Sequence, residues 1–201
     1  TKLISDDQPE SIHHASLRVL SEVGMDFMLP EARDILKKAG AKIDGERVRF
    51  DPDMIMEALS HAPSTFTVHA RNPLRNMEIG GPNISFGTVG SPPNAHDRDG
   101  GRRTGNRADF QNFIKLAHHF NAIDFMSGYP VEPIDVHAGV RHLEVLRDVA
   151  CLTDKPFIAY SLGVERIRDG MEIARLARGV SQEQFDREPT LTTIVNTNSP
   201  L

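Results

Sequence analysis

Residues 123–133, IDFMSGYPVEP, place a short apolar run directly before a turn-rich polar loop, and an amphipathic helical pattern follows. The same unit recurs through the second part of the chain. Its apolar runs lie at residues 84–89, 123–127, 157–161 and 191–196, so that successive starts are 34 to 39 residues apart. Strands that alternate with helices at this spacing predict parallel pairing through right-handed crossovers.

Two architectures use this repeat, the open doubly wound sheet and the closed eight-stranded barrel. The connection after the first run, residues 90–104, contains Pro92 and Pro93 and matches neither a G-x-G-x-x-G loop nor a P-loop. We therefore favour the barrel. A closed barrel takes eight strands and about 250 residues, whereas residues 84–201 supply four strands. Because a half barrel would leave a bare apolar edge, we expect the first half of a parallel (β/α)8 TIM-type barrel, with the second half outside this sequence or supplied by a partner.

The residues before the repeat predict two smaller parts. Residues 1–62 form a helix-and-hairpin subdomain in which one helix ends at Gly24, a second begins near Pro30, and Asp51 caps a third. A tight hairpin turn is predicted at Asp44-Gly45. Residues 63–83 form a hairpin connector, whose alternating apolar residues begin at Thr65.

Composition excludes several kinds of partner. The net charge of −5 argues against a nucleic-acid groove. The basic cluster between Arg98 and Arg107 is interleaved with aspartates, which is typical of a solvated, Gly-rich loop. No apolar run approaches the ~20 residues that cross a bilayer, so we expect no membrane partner. A single cysteine, Cys151, fits a reducing cytoplasm.

The candidate substrate-binding residues follow the four predicted strands, because a β/α barrel carries its active site at the carboxyl ends of its strands. Tyr129 and Tyr160 are the two tyrosines of the chain, and paired aromatic faces suit a quaternary ammonium ligand. Glu132 offers a carboxylate for a cation or for acid–base chemistry. The full candidate set is Asn94, Tyr129, Glu132, Tyr160, Asn196 and Asn198. Turn formation alone is the alternative explanation for such loops, and no catalytic residue is assigned.

The nine histidines do not predict a metal site. His13-His14 and His118-His119 are adjacent pairs that project to different sides of a helix, and His137 and His142 miss the i, i+4 spacing of a zinc helix. With one cysteine, a thiolate zinc centre is disfavoured. We therefore expect no metal bound by this chain.

Six stretches resemble the trimethylamine methyltransferase family of corrinoid-dependent methyltransferases. They are residues 12–24 (IHHASLRVLSEVG), 35–41 (ILKKAGA), 62–73 (APSTFTVHARNP), 96–103 (HDRDGGRR), 128–133 (GYPVEP) and 152–156 (LTDKP). The resemblance spans essentially the whole chain in order. It implies a β/α barrel that moves a methyl group from a quaternary or tertiary amine, such as a betaine or trimethylamine, to the cobalt of a separate corrinoid protein. The pyrrolysine of the trimethylamine enzymes falls in later strands of the barrel, outside this sequence.

Two other functions stay open at this point. The chain could belong to another class of barrel enzyme, such as a lyase or aldolase that takes a lysine or a metal from later strands. It could also be a non-catalytic barrel fragment that serves as a scaffold. If the substrate is a methylated amine, we expect a homo-oligomer that has a corrinoid protein as its partner.

Overall fold

A computed structural model of the chain describes Ser5, residues 7–159 and residues 162–194. It is a mixed α/β structure, as the sequence predicts. The chain divides into two compact units, of which the first ends at Pro63 and the second begins at Ser64.

The first unit combines three helices with a small antiparallel sheet. Its helices are α1 (Asp7–Arg18), which continues as a π turn (Val19–Val23), α2 (Pro30–Lys38) and α3 (Pro52–Ser60). Its strands are β1 (Met25–Asp26), β2 (Lys42–Asp44) and β3 (Arg47–Arg49), in the order β1-β3-β2. The predicted hairpin around Asp44-Gly45 is confirmed, because β2 and β3 pair with Asp44 opposite Arg47.

Local chemistry sets the helix ends of this unit. Asp51 caps α3 by accepting a hydrogen bond from the backbone N–H of Asp53 at 2.9 Å, as predicted. Gly24 follows the π turn with φ of 76°, and a Cβ atom there would lie 2.3 Å from the carbonyl oxygen of Val48. Glycine is therefore required where the first helix meets β3.

The second unit opens with the predicted hairpin. Strands β4 (Thr65–Val68) and β5 (Met77–Gly80) pair antiparallel with Val68 opposite Met77. A 3-10 turn (Pro73–Arg75) joins them, and the Asn72 side chain accepts a hydrogen bond from the Leu74 N–H at 3.1 Å.

Four parallel segments follow, at residues 86–88, 124–126, 157–159 and 191–192. They pair with one another in chain order through the bridges Gly87–Phe125 and Met126–Phe157 and through β8 (Phe157–Ile158) with β9 (Leu191–Thr192). Backbone hydrogen bonds join neighbours, such as Ile158 N–H to Met126 O at 2.9 Å. Regular pairing is shorter than the sequence predicts, since the first two segments take part only in isolated bridges and the ladder of β8 with β9 has two residue pairs. The predicted strand ends beyond residues 159 and 194 lie outside the described residues.

Helices connect the segments, and successive helices pack against each other. They are α4 (Arg107–His119), α5 (Arg141–Leu152), α6 (Val164–Arg178) and the short α7 (Gln182–Arg187), which the sequence did not predict. Buried side chains of α4 and α5 meet those of the segments in one core; its most enclosed members are Phe110, Ile114, Met126, Val131 and Val145. No helix among the described residues is both long enough and apolar enough to cross a membrane.

The connection after the first segment is solvated at residues 96–100, as predicted, but it is an ordered hairpin rather than a loop. Residues 94–104 form an antiparallel hairpin of β6 (Asn94–Asp97) and β7 (Gly101–Thr104). The Asp97 carboxylate closes its turn by accepting the backbone N–H groups of Asp99 at 3.1 Å and Gly100 at 2.5 Å. Asp97 therefore orders this solvated stretch by closing its turn.

Candidate functional site

The loops that follow the first two parallel segments are bonded to each other through their backbones. The Ser91 N–H donates to the Tyr129 carbonyl at 2.5 Å, and the Glu132 N–H donates to the Pro92 carbonyl at 2.9 Å. Ser91 adopts a left-handed φ of 57°, a conformation that costs a non-glycine residue about 1 kcal/mol and needs support from its surroundings. Both loops leave the carboxyl ends of their segments, so Tyr129 and Glu132 lie at the edge where a β/α protein places its site.

Glycines allow this close approach. A Cβ atom at Gly90 would lie 2.9 Å from the Ser127 carbonyl oxygen. One at Gly105 would lie 2.4 Å from the Val131 side chain and 2.7 Å from the Glu132 carbonyl oxygen. Neither position has room for a side chain, so the two loops depend on glycine for their contact.

Tyr129 lies in the core behind the loop. Its residue is only 5% exposed, and its ring meets Phe110 of α4 edge to face with the ring centroids 5.7 Å apart. This geometry is favourable for two aromatic rings. Phe110 therefore covers part of the Tyr129 ring.

Glu132 forms an ion pair with Arg141, the first residue of α5. The Arg141 Nη1 atom lies 2.8 Å from Glu132 Oε1, and the two side chains are 20% and 22% exposed. Arg141 also donates from Nε at 3.0 Å and from Nη2 at 2.9 Å to the Val136 carbonyl. One guanidinium therefore holds both ends of the loop at residues 132–136.

Asn94 begins β6, where it stands opposite Thr104 and is half-buried. The hairpin that carries it is held by Arg103, which bonds Asp97 at 3.2 Å and Asp109 at 2.7 Å. The hydrogen bond from Arg103 lowers the pKa of Asp109 against the opposing effect of burial. Asn94 is thus carried on an ordered hairpin at the same edge as Glu132.

A buried ion pair joins the two helices behind these loops. Arg107, at the start of α4, donates to Asp148 of α5 from Nε at 2.7 Å and from Nη2 at 2.8 Å. Gln111 adds a hydrogen bond to Asp148 at 3.0 Å, and the Arg107 backbone N–H donates to Asp135 at 2.8 Å. Burial alone would raise the pKa of Asp148, but the hydrogen bonds from Arg107 and Gln111 outweigh it and the pKa is lowered.

Lys155 is a second buried charge that the sequence analysis did not single out. It is 3% exposed, and its Nζ donates to the carbonyls of Ala117 at 2.7 Å, Phe120 at 2.9 Å and Ile123 at 2.5 Å. Burial lowers the pKa of the Lys155 ammonium. Ala117 lies in the last turn of α4, where the carbonyls have no partner within the helix, and Phe120 is the residue that caps it. Lys155 therefore closes that helix end.

The structure brings three of the predicted site residues to one edge, namely Asn94, Tyr129 and Glu132. Tyr160, Asn196 and Asn198 lie outside the described residues. Within residues 7–159 and 162–194, no three histidine, cysteine, aspartate or glutamate side chains are grouped so that they could hold a metal ion. Arg141 is the functional candidate that sequence reasoning missed, although an arginine at the first turn of a helix, where the dipole favours acids, is an unusual choice.

The second unit is thus a parallel β/α protein with ordered polar loops gathered at the carboxyl ends of its first two segments. The chain belongs to the trimethylamine methyltransferase (MTTB) family, whose model matches residues 1–201. The family resemblance of the sequence is thereby confirmed.

Individual relatives are methyltransferases of two substrate types. The chain is 34% identical to the glycine betaine methyltransferase of Desulfitobacterium hafniense over 99% of its own length and 41% of the relative's. It is 35% identical to the proline betaine:corrinoid methyltransferase of Eubacterium limosum over 67% of its length and 28% of the relative's. Against the trimethylamine methyltransferase of Methanosarcina barkeri the identity is 26%, over 99% of the chain and 41% of the relative. The chain therefore spans about two fifths of the length of the full relatives that it matches.

Proposed function

We propose that the protein carrying this sequence transfers a methyl group from a quaternary or tertiary methylated amine to the cobalt of a corrinoid held by a separate protein. The observation that carries the proposal is the family match over residues 1–201, together with 34% identity to a glycine betaine methyltransferase along almost the whole chain. One relative is named for a corrinoid as its methyl acceptor. The corrinoid is a substrate of this reaction rather than a resident group of the chain.

The four parallel segments are, in this proposal, the first half of an eight-stranded β/α barrel. Their pairing in strict chain order supports it, because each segment neighbours the next one along the sequence. A doubly wound sheet reverses its strand order after the first strands, and no reversal occurs among residues 86–192 as described. Polar loops at the carboxyl ends of the segments are the other feature that a barrel enzyme shares.

In this reaction the side chains of the protein form no covalent bond to the substrate. Reduced cobalt supplies the nucleophile, and the amine leaves with the electron pair of its broken carbon–nitrogen bond. The protein has to hold the methylated nitrogen in line with the acceptor and to keep water away from it. The Glu132 carboxylate can balance the positive charge of the amine, and Asn94 can contribute a hydrogen bond from the neighbouring hairpin.

We place the substrate at the edge that carries Asn94, Tyr129 and Glu132, and we keep Tyr160, Asn196 and Asn198 as candidates for the third and fourth loops. The backbone hydrogen bonds from Ser91 and Glu132 support this placement, since they order the first two loops together. Tyr129 contributes to an aromatic cage only with the part of its ring that Phe110 leaves uncovered.

The test is methyl transfer to added cob(I)alamin, followed by absorbance, from a panel of glycine betaine, proline betaine and trimethylamine. We expect protein-dependent methylation with at least one of these amines, and a fall in kcat/KM for Glu132→Gln. Omission of the amine is the control. If every amine leaves the corrinoid unmethylated, including when a cognate corrinoid protein is supplied, the proposal is wrong.

A further inference from the structure

Arg141 and Glu132 present two opposite charges side by side at the proposed substrate edge. The pair is one fifth exposed on both sides. Arg141 uses its Nε–H and one hydrogen on each terminal nitrogen for Val136 and Glu132. Nη1 and Nη2 therefore each keep one N–H that no described residue takes up.

Glu132 also has bonding capacity left. Its Oε1 accepts from Arg141, whereas no described residue donates a hydrogen bond to its Oε2. Polar groups that are fully buried are generally hydrogen-bonded, whereas groups that solvent reaches can bond water or a ligand. This ion pair is partly exposed and keeps a carboxylate oxygen and two guanidinium N–H groups available for such a bond.

We propose that Arg141 is a specificity-determining residue that binds the carboxylate of a zwitterionic substrate, so that the substrate class is an N-methylated amino acid rather than an amine without a carboxylate. This inference rests on the proposed function. An arginine can bind a carboxylate with two parallel hydrogen bonds, and one remaining N–H on each terminal nitrogen is the number of donors that this requires. The quaternary ammonium of the same molecule donates no hydrogen bond and is attracted to Glu132 by charge alone.

Charge balance supports the same assignment. Glu132 and Arg141 together carry no net charge, and a betaine carries none either. Binding a betaine therefore sets each charge opposite its complement and leaves none uncompensated in the partly buried site. A lone cation such as tetramethylammonium would compete with Arg141 for Glu132 and leave one positive charge unmatched, which is costly away from water.

Calorimetric titration of the protein with glycine betaine and with tetramethylammonium tests the assignment, because the two ligands share the ammonium and differ in the carboxylate. We expect glycine betaine to bind at least about tenfold more tightly, the effect of hydrogen bonds to a charged group. The variant Arg141→Met should lose about tenfold or more for glycine betaine. It should bind tetramethylammonium at least as tightly as the unaltered protein does, because the cation that competes for Glu132 is gone.

The matched control is Arg147→Met. It removes the same charge from the same helix, but Arg147 is 68% exposed and its ion pair among the described residues is a weak one with Glu144, at 3.4 Å. Both ligands should bind this variant as they bind the unaltered protein. Two further variants serve if Arg141→Met does not fold. Arg141→Lys keeps the charge without the fork and should give an intermediate loss for glycine betaine, while Glu132→Gln should weaken both ligands by a similar factor.

An equal loss of affinity for both ligands in Arg141→Met would show that Arg141 acts only by positioning Glu132, and it overturns the assignment. No loss for either ligand, or an unchanged preference in Arg141→Lys, overturns it as well. The underlying function is judged separately. If the unaltered protein prefers glycine betaine through Arg141 but transfers no methyl group, the proposed function fails and the binding assignment holds. If it transfers methyl groups while Arg141→Met keeps the preference, the assignment alone fails.

Discussion

Replacing Arg107 by methionine should loosen helices α4 and α5 together. Asp148 is 6% exposed, and Arg107 supplies two of its three side-chain hydrogen bonds. In Arg107→Met the Asp148 carboxylate stays buried with Gln111 as its remaining partner. Removing one partner of a buried ion pair costs about 3–5 kcal/mol. We expect the lower end, about 3 kcal/mol, because Gln111 remains and the Arg107 side chain is 30% exposed.

Native-state hydrogen exchange of the protein, followed by mass spectrometry, measures this local free energy. A loss of about 3 kcal/mol corresponds to roughly hundredfold faster exchange in peptides from α4 and α5. Arg147→Met removes an exposed arginine from α5 and should change exchange by less than about threefold. In Arg107→Met with Asp148→Leu, no buried charge is left alone, so most of the protection should return. The reasoning is refuted if Arg107→Met leaves exchange unchanged, or if the double variant exchanges faster than the single one.

Three further outcomes can be measured with variants of the same protein. The lowered pKa of Asp148 contributes stability that is present above the unfolded pKa of about 3.9 and is lost as the pH falls through the folded pKa. At pH values below about 4 the melting temperature should therefore decrease. In Asp148→Asn this decrease should be less steep. Lys155→Met removes a charged donor from three carbonyls and should cost about 3 kcal/mol or more, seen as a lower urea midpoint; an unchanged midpoint would contradict its role at the end of α4. Tyr129→Leu should weaken betaine binding more than Phe110→Leu, which loosens the same ring contact without touching the loop; equal effects in calorimetry would remove Tyr129 from the proposed cage.

Features fixed by neighbouring residues could be predicted from the sequence. The turn at Asp44-Gly45 and the cap at Asp51 depend on chemistry within a few residues, and both occur as expected. The parallel pairing also followed from the spacing of the apolar runs, because buried parallel strands read as continuous apolar runs. The length of the hydrogen-bonded ladders did not follow, because an apolar run does not show how many of its backbone groups meet a neighbouring strand.

Contacts between residues that lie in different elements could not be predicted. The hairpin of β6 and β7 has charged rather than apolar residues at its centre, so its pattern resembles a loop, and Arg103 stabilises it by reaching Asp109 on the next helix. Glu132 and its partner Arg141 are nine residues apart, at the two ends of the loop that precedes α5. Residue type identified Glu132 as a candidate, but its arginine partner becomes visible only when the loop is folded.

Lys155 determines when the end of α4 can close while the chain is being synthesised. Its Nζ bonds carbonyls that lie 32, 35 and 38 residues earlier, at the end of α4 and in the turn after it. During synthesis these carbonyls leave the ribosome well before the ammonium that satisfies them. We expect the end of α4 to stay open to water and to proteases in nascent chains that stop short of residue 155, and to close in those that extend past it.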